Sequence, residues 1–291
     1  MQIGFHTDAF NTSFWSFEEA LQWAHRNDVH FVECGSIDGV SWLHGLGYQP
    51  HIALWEDPET MRRHMDDLSI AFSQIDAAFP LSRPEGETLG VQYAINTIRW
   101  AHLAGCHHID TTDDRFAPRG MTDEEAMEMM KRAYSAILDV ADRYGTTINI
   151  EPHGYFTTRP ETLARMLDFF DTPRLGLNMD TGNTFVAGND PVAFLRQFRD
   201  RVTHVHIKDV SASLAAASRG DATGIALSHT AIGDGVNAAN IERCVEILAE
   251  TGYDGVLSIE CEGAGGPMIE QSLVWVRAML DRVTSPQPAG R

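Results

Sequence analysis

The sequence predicts a single (β/α)8 barrel of parallel strands, and three observations carry that expectation. Apolar runs of strand length recur about every thirty residues and alternate with amphipathic stretches. Four of the later runs end in a metal-binding type of side chain: INIEPH at 148–153, LNMD at 177–180, HVHIKD at 204–209 and SIECE at 258–262. The chain has 291 residues and 43% hydrophobic content, enough for one large core, and an eight-fold barrel takes about 250 residues.

Taken in order, the strand candidates are 2–6 (QIGFH), 30–34 (HFVEC), 70–76 (IAFSQID), 107–111 (HHIDT), 146–151 (TTINIE), 175–180 (LGLNMD), 202–207 (VTHVHI) and 255–260 (GVLSIE). Helix candidates follow each of them at 17–27, 58–68, 88–104, 123–143, 160–170, 191–199, 238–251 and 267–282. Several open with start signals: Thr122 before Asp-Glu-Glu, Pro160 before Glu161, and Asp190 before Pro191. Eight alternating units imply a parallel sheet, and eight close into a barrel more readily than they spread into a doubly wound sheet. No composition break divides the chain, so one domain is expected over 1–283, followed by a flexible tail, 284–291. The longest loops, 35–57 and 210–237, follow strand carboxyl ends and would overhang the active face. The first carries Trp42, Leu43, His44, Tyr48, His51 and Trp55, and is expected to wall a substrate pocket.

The formal net charge is −19, from 41 acidic and 22 basic residues. Such a surface repels phosphate backbones and excludes a nucleic-acid partner. No apolar run reaches 18 residues, and the start MQIGFHTDAF lacks a basic leader, so neither a membrane span nor a signal peptide is expected. Four scattered cysteines without a CxxC pair fit a reducing, cytoplasmic compartment.

Glu151, Asp180, His206 and Glu260 sit at the carboxyl ends of four successive strands. Inward and outward side chains alternate, so these four need only face the axis to meet in one coordination sphere. One strand-end acid commonly caps a helix, but three carboxylates buried together without a cation would be very unfavourable. Three carboxylates and one imidazole suit one divalent cation, Mn²⁺ first, with Mg²⁺, Co²⁺ or Zn²⁺ as alternatives. His204 shares the parity of His206 and is read one layer deeper. Glu262 shares that of Glu260 but is read as a loop residue. His153 and Lys208, two positions past ligands, are candidates to hold substrate hydroxyls. His6, Glu33, Asp76 and Asp110 end the first four strands; Glu33 and Asp76 are expected to touch substrate, Asp110 to cap, and His107 to be structural.

IEPHG, LGLNMDTGN, DRVTHVHIKDV, the GDG turn at 233–235 and GVLSIECEG resemble the sugar isomerase/epimerase superfamily with the xylose-isomerase-like barrel. That superfamily includes ketose 3-epimerases, hydroxypyruvate isomerase, inosose dehydratase and, more distantly, endonuclease IV. The resemblance spans almost the whole chain and implies Glu151, Asp180, His206 and Glu260 as metal ligands, with Glu151 and Glu260 doubling as an acid/base pair. Asn183 stands where ketose 3-epimerases and inosose dehydratase have a histidine, and Ala212 where the epimerases have an arginine. Both departures point away from a simple free-ketose epimerase and leave Asn183 as a substrate-binding candidate, beside Trp42 in the aromatic loop.

A cation chelating a carbonyl and an adjacent hydroxyl acidifies the C–H between them, and a nearby carboxylate can then move that proton. The expected activity is therefore a divalent-metal isomerase or epimerase of a sugar, inositol or related keto-polyol, working by enediolate proton transfer between two glutamates. The alternative is a lyase or dehydratase on a keto-inositol or keto-glycoside, including C-glycoside-cleaving subunits, through the same enediolate. An endonuclease-IV-like site would need several more histidines from strands 2 to 4. The expected partner is a small sugar or polyol, in a homo-oligomer or with a partner subunit.

Overall fold

The computed structural model describes residues 1–10, 15–38, 50–220, 227–263 and 265–285. Their strands are β1 (Gln2–His6), β2 (Phe31–Ile37), β3 (Ile52–Ala53), β4 (Ala71–Pro80), β5 (His108–Thr112), β6 (Thr147–Ile150), β7 (Leu175–Asp180), β8 (Val202–Ile207) and β9 (Val256–Ile259). All pair in parallel in the order β1-β9-β8-β7-β6-β5-β4-β2, and β1 pairs with β2 to close the ring. The two-residue β3 only extends β2 at the rim. This is the expected closed eight-stranded barrel.

The helices are α1 (Phe17–Arg26), α2 (Pro58–Asp67), α3 (Leu89–Leu103), α4 (Asp123–Tyr144), α5 (Pro160–Leu167), α6 (Thr181–Val186), α7 (Pro191–Phe198), α8 (Ala212–Ser218), α9 (Ala238–Glu250) and α10 (Gly266–Thr284). The start signals act as read. Thr122 accepts from the Glu125 N–H at 3.2 Å, and Glu125 accepts from the Thr122 N–H at 2.7 Å, a reciprocal cap. Asp190 accepts from the first-turn amides of Val192 and Ala193. None of the described helices is long and apolar enough to cross a membrane.

Alternation along the strands sorts two environments. Ile148, Ile150, Leu177, Met179, Val205, Ile207, Leu257 and Ile259 are buried in the main apolar core. The residues between them, Asn149, Asn178, His204, His206 and Ser258, have the opposite parity and face the axis. Barrel interiors are more often filled by branched aliphatic residues; this one is built from amides, imidazoles and acids, held in register by pairings such as Asn178↔His204, Asp180↔His206 and His206↔Ser258.

Several boundaries differ from expectation. β2 and β4 run further toward the mouth than 34 and 76, and the fourth barrel strand starts at His108, leaving His107 exposed outside it. α6 was not expected, because it begins at the residue after a strand with no spacer to signal it. α8 lies inside the predicted loop 210–237. Within loop 35–57, residues 39–49 are outside the described residues, Trp42, Leu43, His44 and Tyr48 among them, and so are residues 286–291 of the expected tail. Thr7 donates to the Pro50 carbonyl at 2.8 Å, which ties the return of that loop to the end of β1. Trp55 is 71% exposed.

Candidate functional site

Asp180 shows how local folding presets the site. It ends β7 and is also the N-cap of α6: its Oδ1 accepts from the amides of Gly182 at 2.6 Å and Asn183 at 2.8 Å. The cap fixes the carboxylate and leaves Oδ2 buried with no hydrogen-bond partner. The glycine in DTGN is required by space, since a Cβ at Gly182 would lie 2.5 Å from the Lys208 stem.

Around that free oxygen the strand ends converge. One ligand atom each from Glu151, Asp180, His206 and Glu260 lies within 4.8 Å of the others, and all four residues are buried. His206 Nδ1 is 3.1 Å from Glu151 Oε1, 3.0 Å from Glu260 Oε2 and 3.8 Å from Asp180 Oδ2. Glu260 Oε2, like Asp180 Oδ2, is buried without a hydrogen-bond partner. Three carboxylates aimed at one imidazole nitrogen, two with an orphaned oxygen, fit a divalent cation in chemistry and in crowding.

The electrostatics carry the same signature. Burial pushes the Glu151 carboxyl up to about 8 against the pull of His206, and pushes Asp180 up to about 6 with help from Glu260. Burial opposes charge on His206, yet Glu33, Glu260 and the other carboxylates around it raise its affinity for a proton well above the ordinary value. A proton there offsets the negative charge that a cation would offset better.

Lys208 is buried between two acids, with Nζ 3.1 Å from Glu260 Oε1 and 2.6 Å from Glu262 Oε1. Despite burial, the Lys208 and His206 charges hold Glu260 well below the usual carboxylate range. Glu262 follows the strand as expected, and it is anchored by the Ser228 amide at 2.7 Å. Replacing Lys208 by Met leaves two acids buried without their cation. The expected loss is about 3–5 kcal/mol, read as a lower urea midpoint of the metal-free protein.

The adjacent Asp209, not singled out as a site residue in the sequence, faces the other way. Its carboxylate accepts from the amides of Val210 (2.8 Å), Gly233 (2.9 Å), Gly235 (2.9 Å) and Asn237 (3.0 Å), and so holds the GDG turn against the mouth. A Cβ at Gly235 would lie 2.1 Å from Asp209 Oδ1. Asp209→Ala should cost at least about 3 kcal/mol, since buried charged hydrogen bonds contribute roughly 1.5–3 kcal/mol each. A urea titration with protease susceptibility of residues 227–237 checks this.

The remaining candidates divide. Asn183 donates to Glu151 Oε1 at 3.3 Å and keeps a buried, unpartnered Oδ1 beside the quartet. His153 is within 3.3 Å of Thr112 Oγ1, and burial lowers its pKa to about 4, so it is neutral at pH 7. His204 lies deeper, as expected, with Nδ1 on Asn178 Oδ1 at 3.1 Å. Asp76 pairs with His6 at 2.7 Å, and His6 reaches Asp8 on its other side at 2.9 Å, a buried triad that the sequence did not suggest. Two expectations are corrected. Asp110 is no cap: it lies inside β5 and accepts from Asn178 Nδ2 at 3.2 Å. Glu33 is not at a strand end open to the mouth: it is 0% exposed, bonded to His206 and held by Gln74.

Known proteins share this barrel. An inosose dehydratase from Lacticaseibacillus casei is 25% identical over 228 residues, covering 71% of this chain and 74% of that protein. An IOLI protein solved with a zinc atom superposes with a TM-score of 0.77 over 98% of this chain and 100% of that one, at 14% identity. A D-tagatose 3-epimerase-like protein gives a TM-score of 0.76 over 97% and 98%, at 18% identity. The model of the xylose isomerase-like TIM barrel family matches residues 8–279, and the chain belongs to that family.

Proposed function

We propose that this protein is a divalent-cation-dependent isomerase or epimerase acting on a sugar, inositol or related keto-polyol. The observation that carries the reading is the approach of both Glu151 and Glu260 to His206 Nδ1, at 3.1 and 3.0 Å, in a buried cluster with two orphaned carboxylate oxygens. Glu151, Asp180, His206 and Glu260 would hold the ion, which supplies Lewis-acid polarisation of a substrate carbonyl and its neighbouring hydroxyl. Mn²⁺ is the first expectation, and the zinc in the IOLI structure supports an ion of this general kind.

The chain's own groups then divide the work. Glu260, kept ionised by Lys208, suits removal of a proton from the carbon beside the carbonyl. Glu151, the second carboxylate beside His206 Nδ1, suits return of a proton to the other face or the neighbouring carbon. Asn183, His153 and Lys208 orient hydroxyls from one wall of the mouth.

A second reading is favoured by the curated inosose dehydratase relative. The same enediolate, with a leaving group on the next carbon, expels it instead of taking a proton, and Lys208 would protonate the departing oxygen. Mass spectrometry separates the two readings when protein reloaded with Mn²⁺ is offered keto-inositols and ketoses. A product of unchanged mass identifies an isomerase or epimerase, and loss of water identifies a dehydratase. A cation-loaded protein that turns over none of them would contradict both.

A further inference from the structure

Glu33 lies fully buried in the barrel interior, and its surroundings are specific. Its Oε2 lies 2.9 Å from His206 Nε2, on the side of the ring away from the quartet. Its Oε1 accepts from Gln74 Nε2 at 2.6 Å, and the Gln74 carbonyl oxygen accepts in turn from Asn149 Nδ2. Thr203 donates to the Asn149 side-chain oxygen, Oδ1. A chain of fixed hydrogen bonds thus crosses the barrel floor and ends on one nitrogen of His206.

The neighbouring groups leave this contact without a rival. His204 Nε2 is 3.8 Å from the same Glu33 oxygen, beyond hydrogen-bond distance, while its Nδ1 is engaged by Asn178. Asn178 Nδ2 is 3.1 Å from His206 Nε2 and 3.4 Å from Nδ1. Such similar distances to both nitrogens put the amide over the ring face, not along either lone pair. Gln74 donates to Oε1, and an ionised carboxylate has only acceptors to offer, so Glu33 faces His206 as an acceptor at Oε2 and requires a proton on Nε2.

We propose that Glu33 is the positioning residue of the centre: by accepting the His206 Nε2–H, it fixes the tautomer whose bare Nδ1 points at Glu151, Asp180 and Glu260. The inference rests on the cation reading of that quartet. It assigns Glu33 to the ion's affinity and the ring's orientation, and removes it from contact with substrate. An outer carboxylate of this kind orients a ligating imidazole and raises its basicity, and its loss typically weakens metal binding about 10–100-fold. In Glu33→Gln the new amide would meet Gln74 with its carbonyl and His206 with its NH₂ group, and would therefore favour the wrong tautomer.

The test is an imidazole nitrogen spectrum of ¹⁵N-histidine-labelled wild type loaded with diamagnetic Zn²⁺, with His206 assigned by its loss in His206→Gln. It is paired with Zn²⁺ titrations of wild type and Glu33→Gln. The expected spectrum has the His206 proton on Nε2 and none on Nδ1, and the variant should bind Zn²⁺ about 10–100-fold more weakly. A proton on Nδ1 in the loaded wild type overturns the proposal even if Glu33→Gln does not fold. Equal affinity of a folded Glu33→Gln and wild type overturns it while sparing the cation site. A wild type that takes up no cation overturns both.

Discussion

Glu151→Gln and Glu260→Gln are each expected to lower turnover by about 10²–10⁴-fold, the range that a positioned acid or base contributes, with a further loss because each is also a ligand. The two should differ in character. Glu260→Gln keeps a carbonyl oxygen for Lys208 Nζ, which lies 3.1 Å from Glu260 Oε1, but offers that ammonium no charge. Its effect therefore reaches Lys208 and Glu262, and stability should fall with activity. Glu151→Gln removes a carboxyl that burial already pushes toward neutrality, so the fold should tolerate it better. Steady-state kinetics beside urea titrations of both variants check this. Wild-type turnover in either variant would remove that glutamate from the chemistry.

Cation uptake is the second large effect. His206→Ala and Asp180→Ala should each lose stoichiometric binding in elemental analysis of purified, dialysed protein, beyond the roughly 10–100-fold typical of losing a ligand's outer partner. Asp180→Ala carries a second penalty, because the same carboxylate caps α6, and a lost cap costs about 1 kcal/mol. Asp180→Asn separates the roles. Its amide oxygen can still accept from Gly182 and Asn183, while an NH₂ group replaces the free Oδ2 and cannot ligate. The Asn variant should therefore keep the stability of α6 and still lose the ion. Unchanged stoichiometry in the His206 and Asp180 variants would sink the ligand assignment.

The barrel was legible because each strand repeats an outward aliphatic and an inward polar residue, as in Ile148-Asn149-Ile150-Glu151, and because helix caps such as Thr122 and Asp190 announce themselves. Glu151, Asp180, His206 and Glu260 were legible because strand-end parity survives small errors in strand limits. What lay beneath them was not. Gln74, Asn149 and Asn178 occupy the inward positions below the acids, and an amide inside an apolar strand has no sequence signature that separates a floor from a surface. The sequence places Glu33 near a strand end, because the apolar run of β2 stops at 34. β2 runs to Ile37, so Glu33 lies low in the barrel. Asp209 was hidden because three of its four partner amides lie 24 to 28 residues further on. α6 was hidden because one residue, Asp180, serves as strand end, cap and candidate ligand together.

Carbon-bound proton transfer between two glutamates is the central claim, and turnover in deuterated water tests it most directly. Wild-type protein loaded with Mn²⁺ is incubated with the keto-polyol or ketose it converts, and recovered substrate and product are examined for deuterium. The account predicts solvent deuterium at the carbon beside the carbonyl, at a rate that collapses in Glu151→Gln and Glu260→Gln. Efficient turnover with no solvent deuterium at carbon, the substrate hydrogen being passed intact to its neighbour, would contradict it and identify a hydride shift instead.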